Sequence, residues 1–253
     1  MTKQFPILNY RISGNGDPVV FLHGFMEDLS MWETFLPDLQ HKTCISIDLH
    51  GHGESFFDEG LPCEISTMAQ QVQDTLNELA IPNYQLVGHS LGGYVGLELL
   101  KTDSRVEHLV LFHSHPWPDS PAKKADRDRV SKFVLTKSVV FIREAIPNLF
   151  AFPGEHPGAI RQYCAIAEKM DPKAIAWSTT AMRNRGSSEQ LLTDRPENVS
   201  IIQGQLDPLI PNLQLREFAE KNGVGFYEIP RCGHMGQVEA PAESIELLSM
   251  ILG

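Results

Sequence analysis

Three short segments, far apart along the chain, contain residue types that together can cleave an ester. A serine hydroxyl is a weak nucleophile that needs a base, and the base needs an orienting acid. The chain offers these types in the order serine, aspartate, histidine: Ser90 in GHSLGG, Asp207 in GQLDP and His234 in RCGHM. Such chemistry requires the three side chains to meet, so the fold must bring them together.

The segment around Ser90 has the form G-x-S-x-G and lies between a predicted strand and a predicted helix. This is the setting of a nucleophile elbow, a turn so tight that side chains at Gly88 and Gly92 would collide with neighbouring backbone. We expect Ser90 itself to have strained backbone angles. A glycine-rich turn capped by a serine would have the same five letters, so the pentapeptide alone leaves both interpretations open.

Six short apolar runs predict strands, and they lie at residues 19–22, 43–48, 84–87, 106–112, 199–202 and 225–229. Near-continuous apolar runs are typical of parallel strands that are covered on both faces. Because the carboxyl ends of parallel strands meet at one edge of a sheet, Ser90, Asp207 and His234 should reach the same edge. Open α/β sheets bind their ligands there.

Helical patterns separate the runs, at residues 65–79, 91–100, 172–183, 213–221 and 241–252. Ser66 and Thr67 are expected to cap the first of these helices. The alternation of strands and helices predicts an α/β fold with a doubly wound, mostly parallel sheet and right-handed crossovers.

The alternation breaks between residues 114 and 190, which contain prolines and helical patterns but no clear strand. We interpret residues 114–190 as a helical cap, inserted into a core formed by residues 1–113 and 191–253. The cap holds 12 Lys and Arg against 8 Asp and Glu, a net charge of +4, whereas the rest of the chain holds 9 against 24, a net charge of −15. This difference favours an anionic substrate, a coenzyme A ester or an acidic carrier protein, although most such charge runs are solvated helix faces.

A second loop, after the first strand, carries the residues HGF at positions 23–25. The backbone N–H of Phe25 could pair with that of Leu91 to hold a developing oxyanion. Each such donor typically contributes about 3 kcal/mol of transition-state stabilisation.

At this point the chain resembles the α/β-hydrolase superfamily, in its serine-nucleophile, esterase-like branch. The matching segments, in the order of the superfamily, are HGF (23–25), DLHGHGES (48–55), GHSLGG (88–93), GQLDPLIP (204–211) and GHMGQVEAP (233–241). The resemblance implies Ser90 as nucleophile, His234 as base, Asp207 as orienting acid and a lid over the site. A serine in the elbow, instead of an aspartate, argues against the haloalkane dehalogenases and epoxide hydrolases of this fold.

Aromatic residues in the cap segment are candidates for substrate contacts. His115 and Trp117 follow the strand at 106–112, and Trp177 and the segment 148–152 suggest a mainly hydrophobic acyl pocket. Packing at the base of the lid would explain the same residues equally well.

Composition excludes several other classes of function. A net charge of −11 argues against nucleic acid as a partner, and no apolar run approaches the roughly 20 residues of a membrane span. The N-terminal segment, residues 1–14, lacks the pattern of a secretory signal, so a cytoplasmic location is the expectation. The four cysteines and ten histidines have no metal-ligand spacing, so neither a metal nor a cofactor is expected.

The sequence thus predicts a serine hydrolase that cleaves small to medium carboxylic esters through an acyl-enzyme. A thioesterase or a carbon–carbon bond hydrolase could use the same triad. A ligand-sensing protein of this fold, with very slow turnover, is the alternative from another class.

Overall fold

The computed structural model describes residues 5–253 and contains one seven-stranded sheet. The strands are β1 (Tyr10–Ser13), β2 (Pro18–Leu22), β3 (Thr43–Ile47), β4 (Tyr84–His89), β5 (Val106–Phe112), β6 (Val199–Gly204) and β7 (Gly225–Ile229). Their order is β1-β3-β2-β4-β5-β6-β7, and every pair is parallel except β1 with β3. The prediction of a mostly parallel sheet is confirmed. The prediction about the N-terminal segment falls partly on residues 1–4, which lie outside the described residues.

Nine α-helices accompany the sheet within the described residues. They are α1 (Ile65–Glu78), α2 (Leu91–Thr102), α3 (Pro121–Ala145), α4 (Pro157–Ala167), α5 (Pro172–Asn184), α6 (Glu189–Asp194), α7 (Asn212–Asn222), α8 (Gly236–Glu239) and α9 (Pro241–Leu252). The five helices predicted from the sequence match α1, α2, α5, α7 and α9 within two residues at each end. α3, α4, α6 and α8 were not individually predicted.

Alternate residues of the strands pack into two separate cores, because successive side chains point to opposite faces of a sheet. Val20 and Leu22 of β2 belong to the core that α1, α2 and α7 cover. Val19 and Phe21 belong to the core on the other face, which α9 covers. Helices on both faces make the fold doubly wound, as predicted.

Two local predictions differ from the structure. β1 was missed because its residues are exposed or half-buried, so it lacks the apolar run that marks the other strands. The predicted capping of α1 by Ser66 and Thr67 is wrong: the helix begins at Ile65, and Glu64 occupies the N-cap position without a side-chain cap.

The segment between β5 and β6 contains α3, α4, α5 and α6 and no strand. α3 packs against α5 and is interrupted at Lys137, where the backbone leaves helical angles. The division of the chain at residues 114 and 190 stays a prediction; its second boundary falls inside α6.

Candidate active site

Ser90 occupies the turn between β4 and α2, with φ 48° and ψ −108°, a region that L-residues rarely adopt. A Cβ atom at Gly88 would collide with the Gly92 carbonyl, and one at Gly92 with the Leu22 carbonyl. The backbone of this turn therefore allows only glycine at positions 88 and 92 and gives Ser90 a strained conformation, as the sequence predicted. The turn leaves the Ser90 side chain on the wall of a cavity.

His234 and Asp207 lie in loops beyond the carboxyl ends of β7 and β6. The Nδ1 atom of His234 lies 2.7 Å from Oδ2 of Asp207. The other carboxylate oxygen, Oδ1, accepts hydrogen bonds from the backbone N–H groups of Leu209 (2.8 Å) and Ile210 (3.1 Å). The carboxylate is thus held in place while it contacts the imidazole.

The charge state of Asp207 follows from the groups around it. Burial opposes ionisation of this carboxyl, but the neighbouring imidazole of His234 outweighs burial and holds the pKa of Asp207 well below the usual range. Asp207 is therefore a carboxylate throughout the neutral range and can orient the His234 imidazole and stabilise its protonated form.

Ser90 and His234 line the same cavity, which has a volume of about 300 Å³. Most of its wall is apolar, formed by Phe25, Met26, Val130, Phe141, Ala145, Leu149, Met182, Leu209 and Ile210. Polar and charged residues contribute the remainder, and most of the charged ones lie around the beginning of α3. A cavity of this kind suits an apolar ligand that carries a few polar groups.

The two expected oxyanion donors have no hydrogen-bond partner in the described part of the chain. Phe25 lines the cavity, and Leu91 is the first residue of α2. Within residues 5–253, neither backbone N–H donates a hydrogen bond to another group of the chain. The N–H of Gly24, by contrast, is already bound to Glu27 Oε2 at 2.6 Å.

The three aromatic candidates for substrate contact differ in whether they line the cavity. His115 lines the cavity, where its Nε2 lies 3.1 Å from the Tyr94 hydroxyl. Trp117 and Trp177 do not line it, which corrects that expectation. Each indole N–H is used elsewhere: Trp117 donates to Glu189 (3.0 Å) and Trp177 to the backbone carbonyl of Leu61 (3.0 Å).

A buried pair, Glu27 and His89, was missed by the sequence analysis. His89 donates from Nδ1 to Glu27 Oε2 (2.9 Å) and from Nε2 to the backbone carbonyl of His234 (2.9 Å). Because both partners are acceptors, both ring nitrogens must carry hydrogen, so the imidazole is positively charged. Both residues lie at or just beyond the carboxyl ends of the neighbouring strands β2 and β4. This position was the one signal in the sequence that could have indicated the pair.

The pKa shifts of the pair agree with this charge assignment. Burial opposes ionisation of both groups, but each partner's charge outweighs it: the pKa of Glu27 is lowered and that of His89 is raised. A buried ion pair therefore lies directly beside the His234 loop.

His113 also lies close to the candidate catalytic residues. It directly follows β5 and is fully buried, with Nδ1 3.6 Å from Asp207 Oδ2. The Gly204 N–H donates to the same Nδ1 at 3.2 Å. Burial lowers the pKa of His113 to about 4, so the ring is neutral at pH 7. Its place after β5, at the active edge of the sheet, was the signal in the sequence.

Donor atoms of His113, Asp207 and His234 lie within 4.8 Å of one another, a spacing that a metal ion could bridge. Yet the Asp207 oxygens already accept from two backbone N–H groups and contact His234. A metal ion would have to displace these bonds, so the group fits a hydrogen-bonded network better than a metal centre.

Comparisons with known proteins agree with the observed fold. A family model described as the alpha/beta hydrolase fold matches residues 17–241. The chain is 25% identical to the 2-hydroxy-6-oxo-2,4-heptadienoate hydrolase of Pseudomonas putida, over 94% of this chain and 90% of that protein. The chain covers only 34% to 65% of the length of several other curated relatives.

Two solved structures share the fold over nearly their whole length. One is a thermophilic esterase from Thermogutta terrifontis, with a TM-score of 0.88, 28% identity and coverage of 97% of this chain and 94% of that one. The other is the enol-lactonase from Burkholderia xenovorans LB400, with a TM-score of 0.85, 22% identity and coverage of 97% and 96%. Separately, none of the helices in residues 5–253 has the length and apolarity that a membrane span needs.

Proposed function

The chain belongs to the α/β-hydrolase fold family, and we propose that it is a serine hydrolase that cleaves small to medium carboxylic esters through an acyl-enzyme intermediate. Ser90 is the nucleophile, His234 the general base and Asp207 the residue that orients His234. The expected cytoplasmic location stays a prediction.

In the first half of the reaction, Ser90 Oγ attacks the ester carbonyl while His234 takes the serine proton. The N–H groups of Phe25 and Leu91 donate to the oxyanion that develops. His234 then gives its proton to the departing alcohol, which leaves an acyl group on Ser90. In the second half, His234 removes a proton from water, which attacks the acyl carbonyl and releases the acid.

One observation carries this proposal: His234 contacts the Asp207 carboxylate at 2.7 Å and lines the same cavity as the strained Ser90. With Nδ1 directed to Asp207, Nε2 is the imidazole atom left to exchange a proton with Ser90. A serine that merely capped α2 would not require a buried carboxylate–imidazole pair beside it. Nor would it require two unbonded N–H groups.

Esters are favoured over other substrates by the likeness to the Thermogutta esterase, at 28% identity over nearly the whole chain. The 25% identity to a 2-hydroxy-6-oxo-2,4-heptadienoate hydrolase supports a second candidate, the hydrolysis of a dienoate of that type. Thioesters would use the same three residues. The leaving group is selected by the cap and not by the triad.

The test is a panel of p-nitrophenyl esters, acyl thioesters and a 2-hydroxy-6-oxo-dienoate, followed over many turnovers. Ser90→Ala should lower kcat by roughly 10³-fold or more, and Asp207→Asn should have a comparable effect, because the imidazole loses its orientation. Ser187→Ala, at an exposed serine of the cap segment, is the matched control and should keep full activity. Ester hydrolysis that survives Ser90→Ala would refute the proposed mechanism.

Sustained turnover separates the enzyme from the ligand-sensing alternative. A fluorophosphonate probe should label Ser90 in both cases and so tests only whether the serine is reactive. Sustained turnover of at least one ester supports the enzyme, whereas one slow turnover that leaves the protein acylated favours the sensor.

A further inference from the structure

A group of cationic side chains forms one part of the cavity wall. Lys123 and Arg127 lie one turn apart on α3, on the same helix face, and both line the cavity. Arg185 does not line the cavity but shares the partner Asp119 with Arg127, and its guanidinium carbon lies 4.1 Å from the centre of the Tyr94 ring. The walls elsewhere are mostly apolar, so this charge is concentrated.

The acidic residues nearby do not balance this charge. Asp119 pairs with both Arg127 and Arg185, and Asp126 pairs with Arg129. Among the described residues, Lys123 has no ion-pair partner. Asp119 is shared by Arg127 and Arg185, Asp126 is balanced by Arg129, and Lys123 is unpaired within residues 5–253. Together these side chains therefore carry an excess of positive charge.

The bonding of Arg127 leaves it able to hold a second anion. Its Nε donates to Asp119, while its two terminal nitrogens make no hydrogen bond within residues 5–253. Lys123 is still partly open to solvent. Desolvation by the cavity wall and the charge of Arg127 lower its pKa, and the charges of Asp119 and Asp126 oppose this only in part. A carboxylate between Lys123 and Arg127 would supply a counter-ion and would fit the planar fork of the guanidinium.

We propose that Lys123 and Arg127 form a binding site for a free carboxylate at the far end of the substrate, so that the preferred substrates are half-esters of dicarboxylic acids. This inference rests on the proposed function and narrows its substrate class. One water is consumed in each turnover: the ester C–O bond breaks, the alcohol leaves, and the product is a dicarboxylate with release of a proton. A neutral acyl chain would leave Lys123 without a counter-ion and the terminal nitrogens of Arg127 without an acceptor.

Three ethyl esters of similar length and different charge test the site: monoethyl adipate, ethyl hexanoate and ethyl 6-aminohexanoate, with the released acids measured by chromatography. Half-esters of succinate and suberate test a shorter and a longer distance between the ester and the free carboxylate. For the wild-type protein we expect kcat/KM to be about tenfold or more higher for the best half-ester than for its neutral counterpart, and lowest for the ammonium ester. A preference for the neutral ester at every chain length would overturn the proposal.

The charge-reversed variant Lys123→Glu should invert the order, so that the ammonium ester is favoured over the half-ester. Lys124→Glu is the matched control, because Lys124 is the next residue on α3 and does not line the cavity. It should keep the preference of the wild-type protein. The assignment is overturned if Lys123→Glu leaves the ratio of the two kcat/KM values unchanged, or if Lys124→Glu changes it equally.

Calorimetry with adipate and the Ser90→Ala variant makes the result independent of catalysis. Adipate should bind at least tenfold more tightly to Ser90→Ala than to Ser90→Ala/Lys123→Glu, and hexanoate should show no such difference. If no ester is hydrolysed but adipate binds in this way, the proposed function fails and the carboxylate site stands. If esters are hydrolysed but adipate and hexanoate bind alike, the carboxylate site fails and the hydrolase stands.

Discussion

Glu27 and His89 form a buried ion pair, with Oε2 of the glutamate 2.9 Å from Nδ1 of the histidine. Glu27 also accepts from the Gly24 N–H, beside Phe25, and His89 donates to the carbonyl of His234. The pair therefore connects the loop with the proposed oxyanion donor to the loop with the proposed base.

Removal of one partner should destabilise the protein strongly, because it leaves the other charge buried without compensation. We expect His89→Gln to lower the free energy of unfolding by about 3 kcal/mol or more, measured by urea denaturation. His41→Gln, at an exposed histidine, should have little effect. If the double variant Glu27→Gln/His89→Gln loses as much as both single variants added together, the two residues do not interact as described.

The stabilisation by this pair should depend on pH. The pKa of Glu27 is below its ordinary 4.5, so its contribution is present above pH 4.5 and is lost as the pH falls through the lowered value. The pKa of His89 is above its ordinary 6.5, so its contribution is complete below pH 6.5 and is lost as the pH rises through the raised value. The difference in stability between the wild type and His89→Gln should be largest between pH 4.5 and 6.5. A difference that grows toward pH 9 would contradict this assignment.

Backbone strain at Ser90 should appear in the stability of its variants. Glycine adopts positive φ without steric cost, whereas alanine does not. Ser90→Gly should therefore be more stable than Ser90→Ala by about 1 kcal/mol in thermal or urea denaturation, although both are inactive. The same two substitutions at the exposed Ser187 should show no advantage for glycine. Equal stability of the two Ser90 variants would mean that the turn is not strained.

Acid should unfold the protein through histidines that are neutral in the folded state. Burial lowers the pKa of His52 and His115 to about 3 and that of His113 to about 4. Each remains uncharged while the unfolded chain gains a proton below pH 6.5, so stability falls as the pH drops from 6.5 toward these values. Each contributes a slope of about 1.4 kcal/mol per pH unit over most of that range.

His115→Gln tests this prediction, because it should reduce the slope of unfolding free energy between pH 6 and pH 4 by about one proton. The exposed His41→Gln variant is again the control. The explanation fails if the slope is the same in His115→Gln and in the wild type.

Asp119 should hold the segment between β5 and β6 together, because it pairs with Arg127 of α3 and with Arg185, the residue that follows α5. Asp119→Asn breaks two buried pairs, so we expect a loss of about 3 kcal/mol in unfolding free energy. Protease cleavage between residues 114 and 190 should precede cleavage elsewhere. Asp126→Asn, which breaks the exposed pair with Arg129, should change neither measurement appreciably. If both variants behave alike, Asp119 does not anchor the segment.

Local sequence patterns were sufficient to predict most strands of the sheet. Six of the seven strands were predicted because each contains a short, mostly apolar run, a signal that does not depend on its partners. Five of these strands are largely buried, whereas the edge strand β7 is half-buried except at Ile229. β1 was missed because an exposed edge strand has no such run. α3 was missed as a single helix because only Val134 and Ile142 are buried along its 25 residues, so no apolar stripe marks it.

The sequence by itself determined the nature and the order of the proposed catalytic residues. Ser90, Asp207 and His234 each lie in a short segment with its own signature, and a parallel sheet necessarily brings the carboxyl ends of its strands to one edge. The strained turn at Ser90 was equally readable, since two glycines at fixed spacing allow it.

Only the tertiary structure decided which side chains meet at that edge. The pairing of Glu27 with His89, the approach of His113 to Asp207 and the anchoring of Arg185 by Asp119 join residues 62, 94 and 66 positions apart. The positions of the two indoles outside the cavity were decided in the same way, because the N–H of Trp117 donates to the Glu189 side chain and that of Trp177 to the buried carbonyl of Leu61. Such contacts depend on the packing of whole elements against one another, and no local pattern records that packing.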